Sequence, residues 1–280
     1  MPRFLRIFLT GLSFAIFFGG SIGIGVALFP FLFLFAIGSP RRYRERNTRL
    51  VGWGYGTFIF WLRLVGLIDT TNRVEVPESL KGRPFVVVAN HPTLIDVIFF
   101  LNAMRKLGLT CVVKHEWYHS FVFGAVLRGT SYLASPSSAE SALGGKGLDR
   151  MVAHVNEGHP VMIFPEGTRS AARKLRRFRR GAFEIAKRCE VPIVRYFIAV
   201  DRPILMKGVP FWKVPDDKAT YRIELLEVID TKTDPRSARE LTEDSEADYE
   251  QRFNQWLATR EQRHFAGQVE ERSAESAAAP

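Results

Sequence analysis

His91 follows, after Asn90, on an apolar, β-branched run, Phe85–Ala89, and Asp96 comes five residues after it. That run predicts a buried strand. From Thr93 to Leu107 the apolar residues Leu94, Val97, Ile98, Leu101 and Met104 recur at helical spacing. His91 therefore falls where a strand ends, and Asp96 near the first turn of the next helix. Strand ends are where ligands collect in open α/β sheets. A carboxylate that holds one imidazole nitrogen leaves the other free to take a proton, which is the pairing of a general base with the group that orients it. The competing reading is a surface histidine beside a helix-start aspartate, a common arrangement that a short motif does not exclude.

A second stretch bears on that choice. Val161–Phe164 has the same buried-strand character and runs into Pro165-Glu166-Gly167-Thr168-Arg169-Ser170, where Gly167 permits tight geometry and close backbone approach. Together the two stretches resemble the first and third blocks of the glycerolipid acyltransferase family, which includes the 1-acylglycerol-3-phosphate acyltransferases. Those blocks read His-x4-Asp and Phe-Pro-Glu-Gly-Thr-Arg-Ser. The resemblance extends over Pro84–Leu226.

It implies a membrane-bound enzyme of phospholipid biosynthesis. Such an enzyme moves a fatty acyl group from a CoA or acyl-carrier-protein thioester to the hydroxyl of a lysolipid, foremost one like 1-acylglycerol-3-phosphate. No metal and no bound cofactor is implied. His91 would be the base, and Asp96 would hold its tautomer. Glu166, Gly167, Thr168 and Arg169 match the acceptor-binding block. Arg169 could clamp a phosphate or carboxylate, or be tied up in a structural ion pair with Glu166 or Glu184. Lys114, in Val112-Val113-Lys114-His115-Glu116, matches a frequent family lysine, and Gly129 matches the glycine that opens the second block.

Two departures put the acceptor in doubt. Ser135 stands where the second block usually carries a phosphate-binding arginine. Arg195 stands where the fourth block, here Val191–Tyr196, usually has its second proline. Arg195 could supply the missing charge, or the acceptor could be a non-phosphorylated hydroxylated lipid such as an amino-acid lipid.

The 280 residues allow one substantial domain with appendages, and 46% hydrophobic and 24% charged residues are ordinary for a globular chain. Cys111 and Cys189 lie far apart without metal-ligand spacing, which argues against a disulfide framework or zinc site and is consistent with a reducing compartment. The net charge of +10 is uneven. Residues 231–280 hold 7 basic and 11 acidic side chains, so residues 1–230 hold 32 against 18. A basic body suits an anionic membrane or an acidic carrier protein. Arg173, Lys174, Arg176, Arg177, Arg179 and Arg180 concentrate that charge, unless they form only a solvated face. The rival class, a non-enzymatic membrane-anchored basic protein that binds lipid or nucleic acid, leaves both strand-end motifs unexplained. No nucleic-acid module is recognisable, so nucleic acid is not an expected partner.

The remaining segments must position these motifs. Ile7–Ile37 carries no charge and is longer than a ~30 Å hydrocarbon core requires, so it reads as one tilted span or a re-entrant hairpin. It is too long for the apolar core of a signal peptide. Arg3 and Arg6 precede it and a denser arginine cluster follows, which puts the body of the protein in the cytoplasm. Val51–Ile68, with Trp53, Tyr55 and Trp61, reads as an interfacial amphipathic helix.

Beyond Pro84, strands at 85–89, 110–113, 131–134, 161–164, 193–200 and 221–226 alternate with helices at 93–107, 116–128, 148–156 and 181–189, with a polar loop over 135–147. That alternation predicts an α/β fold with a mostly parallel central sheet flanked by helices, glycerol-3-phosphate acyltransferase-like, behind an N-terminal membrane helix or hairpin. The expected domains are a hydrophobic segment at 1–40, a basic linker with the interfacial helix at 41–80, the catalytic domain at 81–230, and an acidic tail at 231–280. In that tail a helix over 247–264 precedes disorder beyond Gly267.

Overall fold

The computed structural model describes all residues except 35–38, 136–145, 172–173, 203, 206–207, 211, 216 and 278–280, and leaves the side chains of 146 and 261–277 undescribed. Most of the polar loop expected at 135–147, Arg173 of the basic run, and the side chains of the tail expected to be disordered lie outside the described residues.

The centre is a seven-stranded sheet: β1 (Ile68–Thr70), β2 (Val86–Ala89), β3 (Thr110–Val113), β4 (Leu133–Ala134), β5 (Val161–Ile163), β6 (Ile193–Val200) and β7 (Ala219–Ile229), in the order β1-β7-β6-β2-β5-β3-β4. Every neighbouring pair is parallel except β6 with β7. The mostly parallel α/β architecture is thus the one expected. β2 is central because both its faces are covered. Phe85, Val87 and Ala89 pack into one core, while Val86 and Val88 pack into the other. None of the five is exposed to solvent, which is why the strand reads as an unbroken apolar run. β1 escaped sequence reading because three residues ending in Asp69-Thr70 carry no period; pairing with β7 creates it.

On the first face lie α3 (Pro40–Leu64) and α4 (Asp96–Ala103). Ser39 caps α3 by accepting from the Arg41 N–H at 3.2 Å, and Pro40 occupies its first turn. One helix therefore absorbs both the basic stretch and the second apolar stretch. α4 starts at Asp96 rather than Thr93, because the preceding residues turn back on the Asp96 carboxylate. The helix expected at 116–128 is two short ones, α5 (His115–Tyr118) and α6 (Gly124–Arg128). Ser120 Oγ accepts from the Phe123 N–H at 3.2 Å where the chain breaks. On the second face lie α7 (Lys146–Asn156), α8 (Gly181–Cys189) and α9 (Ala238–Ala277). α9 starts earlier than expected, at a capping box: Glu240 accepts from the Ser237 N–H at 2.7 Å and Ser237 Oγ from the Glu240 N–H at 3.2 Å.

The N-terminus is one apolar helical run over Arg3–Leu34: α1 (Arg3–Gly23), a π-helical turn at Ile24–Leu28, and α2 (Phe29–Leu34). It does not fold back on itself within those residues. It lies antiparallel to α3. Trp61 Nε1 donates to Ser13 Oγ at 2.9 Å, the Phe17 and Phe58 rings are 5.0 Å apart, and the Tyr43 hydroxyl donates to the Phe29 carbonyl at 2.6 Å. The π turn brings Gly25 against the α6 backbone, where a Cβ would collide with Val126 N. The opposite side of the run stays bare: Phe4 is 75% exposed and Leu34 76%.

At the edge of the sheet remote from the motifs, His154 Nε2 lies 3.0 Å from Thr110 Oγ1, and the His154 and His159 rings stack at 4.6 Å. Thr110 Oγ1 also donates to the Pro160 carbonyl, so His154 Nε2 must be the donor of its pair. Burial holds both imidazoles neutral, His154 down to about 3. The unfolded chain thus gains protons below pH 6.5 that the native state refuses, so stability is full above that pH and falls as pH drops toward 3. For His154 alone the loss is ~2 kcal/mol between pH 6.5 and 5. Denaturant midpoints across that range should fall accordingly, and His154→Gln should flatten the slope.

Candidate active site

β2 and β5 are parallel neighbours with Val88 level with Ile163, so the turns that follow them leave the same edge of the sheet side by side. This register alone brings the two motifs together. Hydrogen bonds then lock them. The Glu166 carboxylate accepts from the His91 N–H at 2.9 Å, the Ser170 hydroxyl at 2.6 Å and the Arg176 N–H at 2.9 Å. The Ser170 N–H donates to the His91 carbonyl at 2.8 Å. The Phe164 ring stacks on the His91 imidazole at 4.0 Å and 12°. Asn90 exchanges two bonds with the Ile198 backbone, at 2.8 and 2.7 Å, and so holds β6 while the main chain turns away.

Asp96 is fully buried. Its Oδ2 takes the His91 Nδ1 proton at 2.9 Å and the Thr93 N–H at 2.7 Å, and its Oδ1 takes the Thr93 hydroxyl. Because Thr93 donates to Asp96, the Tyr221 hydroxyl must donate to Thr93 Oγ1, 2.8 Å away. Burial and the Asp96 charge push the Tyr221 phenol well up, which keeps it a donor. Asp96 is thus a carboxylate held from several sides. Nδ1 of His91 is protonated, and Nε2 is the ring nitrogen left without an internal partner among the described residues. The His91 side chain, 17% exposed, lines a cavity of about 740 Å³.

The lining of that cavity is mixed. His91, Lys114, Ser135, Thr168, Arg169 and Arg179 are among its polar residues; Phe14, Phe17 and Phe18 of α1, Phe58 of α3, Ile98 of α4 and Leu127 of α6 are among its apolar ones. Of the expected site residues, His91, Lys114, Gly167, Thr168 and Arg169 therefore line one cavity, with Asp96 buried behind His91. Glu166 does not line the cavity. It stands behind the loop, and burial raises its pKa while the three donors oppose the shift.

Gly129, expected at the acceptor site, lies outside the lining. It gives room to the Phe29 ring, which a Cβ would penetrate, and its carbonyl accepts from Asn47 Nδ2 at 2.9 Å. Arg195, a candidate to replace the missing arginine, points into the second core side. It pairs with Asp248 at 2.7 Å and Glu227 at 2.8 Å and donates to Ser245 at 3.0 Å, tying α9 to β6. Arg169 forms no ion pair with Glu166 or Glu184; its Nη1 donates to the Leu205 carbonyl, and burial lowers its pKa.

Sequence reasoning missed Thr93 and Tyr221. A threonine three residues before a carboxylate was a usable signal, since such side chains bond locally. Tyr221, 128 residues away, gave none. Arg179 was legible only as part of a charge run; it packs over Gly167, whose φ of +67° and missing Cβ leave space for the guanidinium.

A family model described as Acyltransferase matches residues 69–198, which contain both motif turns. Over that segment the chain is similar to this family. It is similar to the 1-acyl-sn-glycerol-3-phosphate acyltransferase of Saccharomyces cerevisiae, at 30% identity over 44% of this chain and 41% of that protein. It is also similar to 1-acyl-sn-glycerol-3-phosphate acyltransferase beta of Homo sapiens, at 30% over 53% and 51%. The chain spans about half the length of the curated relatives it matches. Its fold is that of the 1-acyl-sn-glycerophosphate (LPA) acyltransferase PlsC of Thermotoga maritima, with a TM-score of 0.68 at 21% identity over 92% of this chain and 98% of that one.

The buried motif carboxylate predicts a specific weakness. Glu166→Gln sets an amide NH2 against one of the donors that the carboxylate accepts from in the native chain, at a buried site. Stability should drop by ~1–3 kcal/mol, read from urea midpoints, and turnover should fall with it although Glu166 does not line the cavity. An unchanged midpoint would mean the loop is held by something else.

Proposed function

We propose that the protein transfers a fatty acyl group from a thioester of CoA or acyl carrier protein to the hydroxyl of a lysolipid, foremost 1-acylglycerol-3-phosphate, in phospholipid biosynthesis. The observation that carries this reading is the His91–Asp96 pair on a cavity of about 740 Å³ lined by cationic and aromatic side chains together. An acyl chain suits the aromatic part of the lining, and its carboxyl carbon would then lie near His91. Nε2 takes the acceptor hydroxyl proton as the oxygen attacks the thioester carbonyl, a step commonly worth ~10² to 10⁴ in rate. The tetrahedral intermediate collapses, the C–S bond breaks, and the imidazolium returns the proton to the thiolate. Asp96 stabilises that imidazolium.

The oxyanion needs free donors. The His91 N–H is spent on Glu166 and the Gly167 N–H on the Phe164 carbonyl at 3.0 Å. The Thr168 and Arg169 amides are the donors the loop has left. Exposed Arg176, Arg177 and Arg180, near the cavity-lining Arg179 in the chain, suit the phosphates of CoA or an acidic carrier protein. A non-phosphorylated acceptor is the second reading, favoured by Ser135, whose hydroxyl is occupied in accepting from the His115 N–H at 3.1 Å. The non-enzymatic alternative gives no use to a buried His–Asp pair opening on a cavity.

Membrane attachment follows from the bare apolar side of α1 and α2 together with Trp53, Phe60 and Leu64 of α3. We read this helical pair as integral to the bilayer surface, with the catalytic sheet on the cytoplasmic side.

His91→Ala should lose ~10² to 10⁴ in kcat with folding intact, and Asp96→Asn should be severely impaired because it favours the wrong tautomer. Turnover near wild type in folded His91→Ala would remove the base assignment. In a second test the full chain should stay in the pellet after alkaline carbonate extraction; release to the supernatant would sink integral attachment.

A further inference from the structure

Arg6 of α1 is only 4% exposed and lines the same cavity as His91. The one hydrogen bond of its side chain among the described residues runs from Nη1 to the Gly66 carbonyl at 3.5 Å, the outer limit of such a bond. Its Nε has no partner. No carboxylate described lies within ion-pair distance of it. Asp217 feels its charge, but is largely exposed and already paired with Arg202 at 2.7 Å. A guanidinium is almost never buried unpaired, because desolvation penalises the charge heavily.

The surroundings indicate what completes it. The same cavity is lined by Lys213 and by Leu205, whose carbonyl holds Arg169. Five cationic side chains, Arg6, Lys114, Arg169, Arg179 and Lys213, therefore line one cavity whose described lining contains a single carboxylate, Glu116. Guanidinium and phosphate match as forked, bidentate partners.

We propose that Arg6, with Lys213, anchors the phosphate monoester of the lysolipid acceptor, taking over from the N-terminal helix the task of the arginine that Ser135 replaces. The proposal rests on the acyl-transfer reading. It makes α1 part of the acceptor site as well as the membrane attachment.

The test compares full-length, detergent-solubilised wild type with Arg6→Gln and Arg6→Lys, using lysophosphatidate and monoacylglycerol as acceptors. Losing one charge-assisted contact should raise KM for lysophosphatidate about 10- to 100-fold. The rise for monoacylglycerol should be at least tenfold smaller, and Arg6→Lys should recover part of the loss. Lysophosphatidate should also raise the Tm of wild type but not of Arg6→Gln. Equal KM changes for the two acceptors, or none, would overturn the proposal. If wild type transfers to neither acceptor while the Arg6-dependent Tm shift persists, the anion site stands and the transfer reading fails. If wild type transfers and Arg6→Gln is indistinguishable from it, the reverse holds. Should Arg6→Gln not fold, phenylglyoxal modification of wild type decides: lysophosphatidate must protect Arg6 where monoacylglycerol does not, and equal labelling refutes the site.

Discussion

A single buried carboxylate, that of Glu166, joins the two halves of the site. Its three donors come from the turn after β2, from within its own loop, and from the basic segment beyond it. Without that junction the parallel register of β2 and β5 would set the two turns side by side but leave their relative orientation loose. With it, the His91 ring is fixed against Phe164 and the Gly167 turn lines the cavity. A buried charge with three hydrogen bonds is costly to disturb, because each orphaned donor would add its own desolvation penalty. The motif glutamate thus acts through position, while the histidine keeps the free ring nitrogen that the proposed chemistry needs.

The same logic extends outward. Asp96 is held by Thr93, and Thr93 by Tyr221 on β7, so the strand paired antiparallel with β6 reaches His91 through three hydrogen bonds. From below, the Tyr249 hydroxyl of α9 lies within reach of the carbonyls of Val88 and Tyr196, at 3.1 and 2.8 Å, where the β6–β7 ladder is irregular. Arg195 adds its ion pairs to the same helix. A C-terminal segment without reactive groups in the cavity therefore braces the strand that carries the base.

The N-terminal helices close the cavity as well as presenting an apolar surface. Gly25 and Gly129 permit their close approach to α6, and Phe17 reaches Phe123 at 5.9 Å. The residues facing the cavity and those facing outward lie on different sides of one helical run. A lipid in the surrounding membrane and a chain in the cavity would be separated by that single helix layer. On the proposed reading, membrane attachment and substrate enclosure belong to opposite sides of the same helices.

The sequence by itself determined six of the seven strands, the mostly parallel character of the sheet, and the meeting of His91 with Asp96. Those features rest on local patterns: apolar runs, helical spacing, and a carboxylate within one turn of a histidine. It also identified Lys114, Thr168 and Arg169 through their motifs. Only the tertiary structure decided the rest. Glu166 faces inward because three backbone and side-chain donors converge on it from separate segments. Gly129 serves a helix contact because Phe29 arrives there from a hundred residues earlier in the chain. Arg195 is consumed by α9, and Arg6 is left unpaired beside the cavity, because burial and partnership depend on what packs across space. A pattern read along one segment carries no record of that.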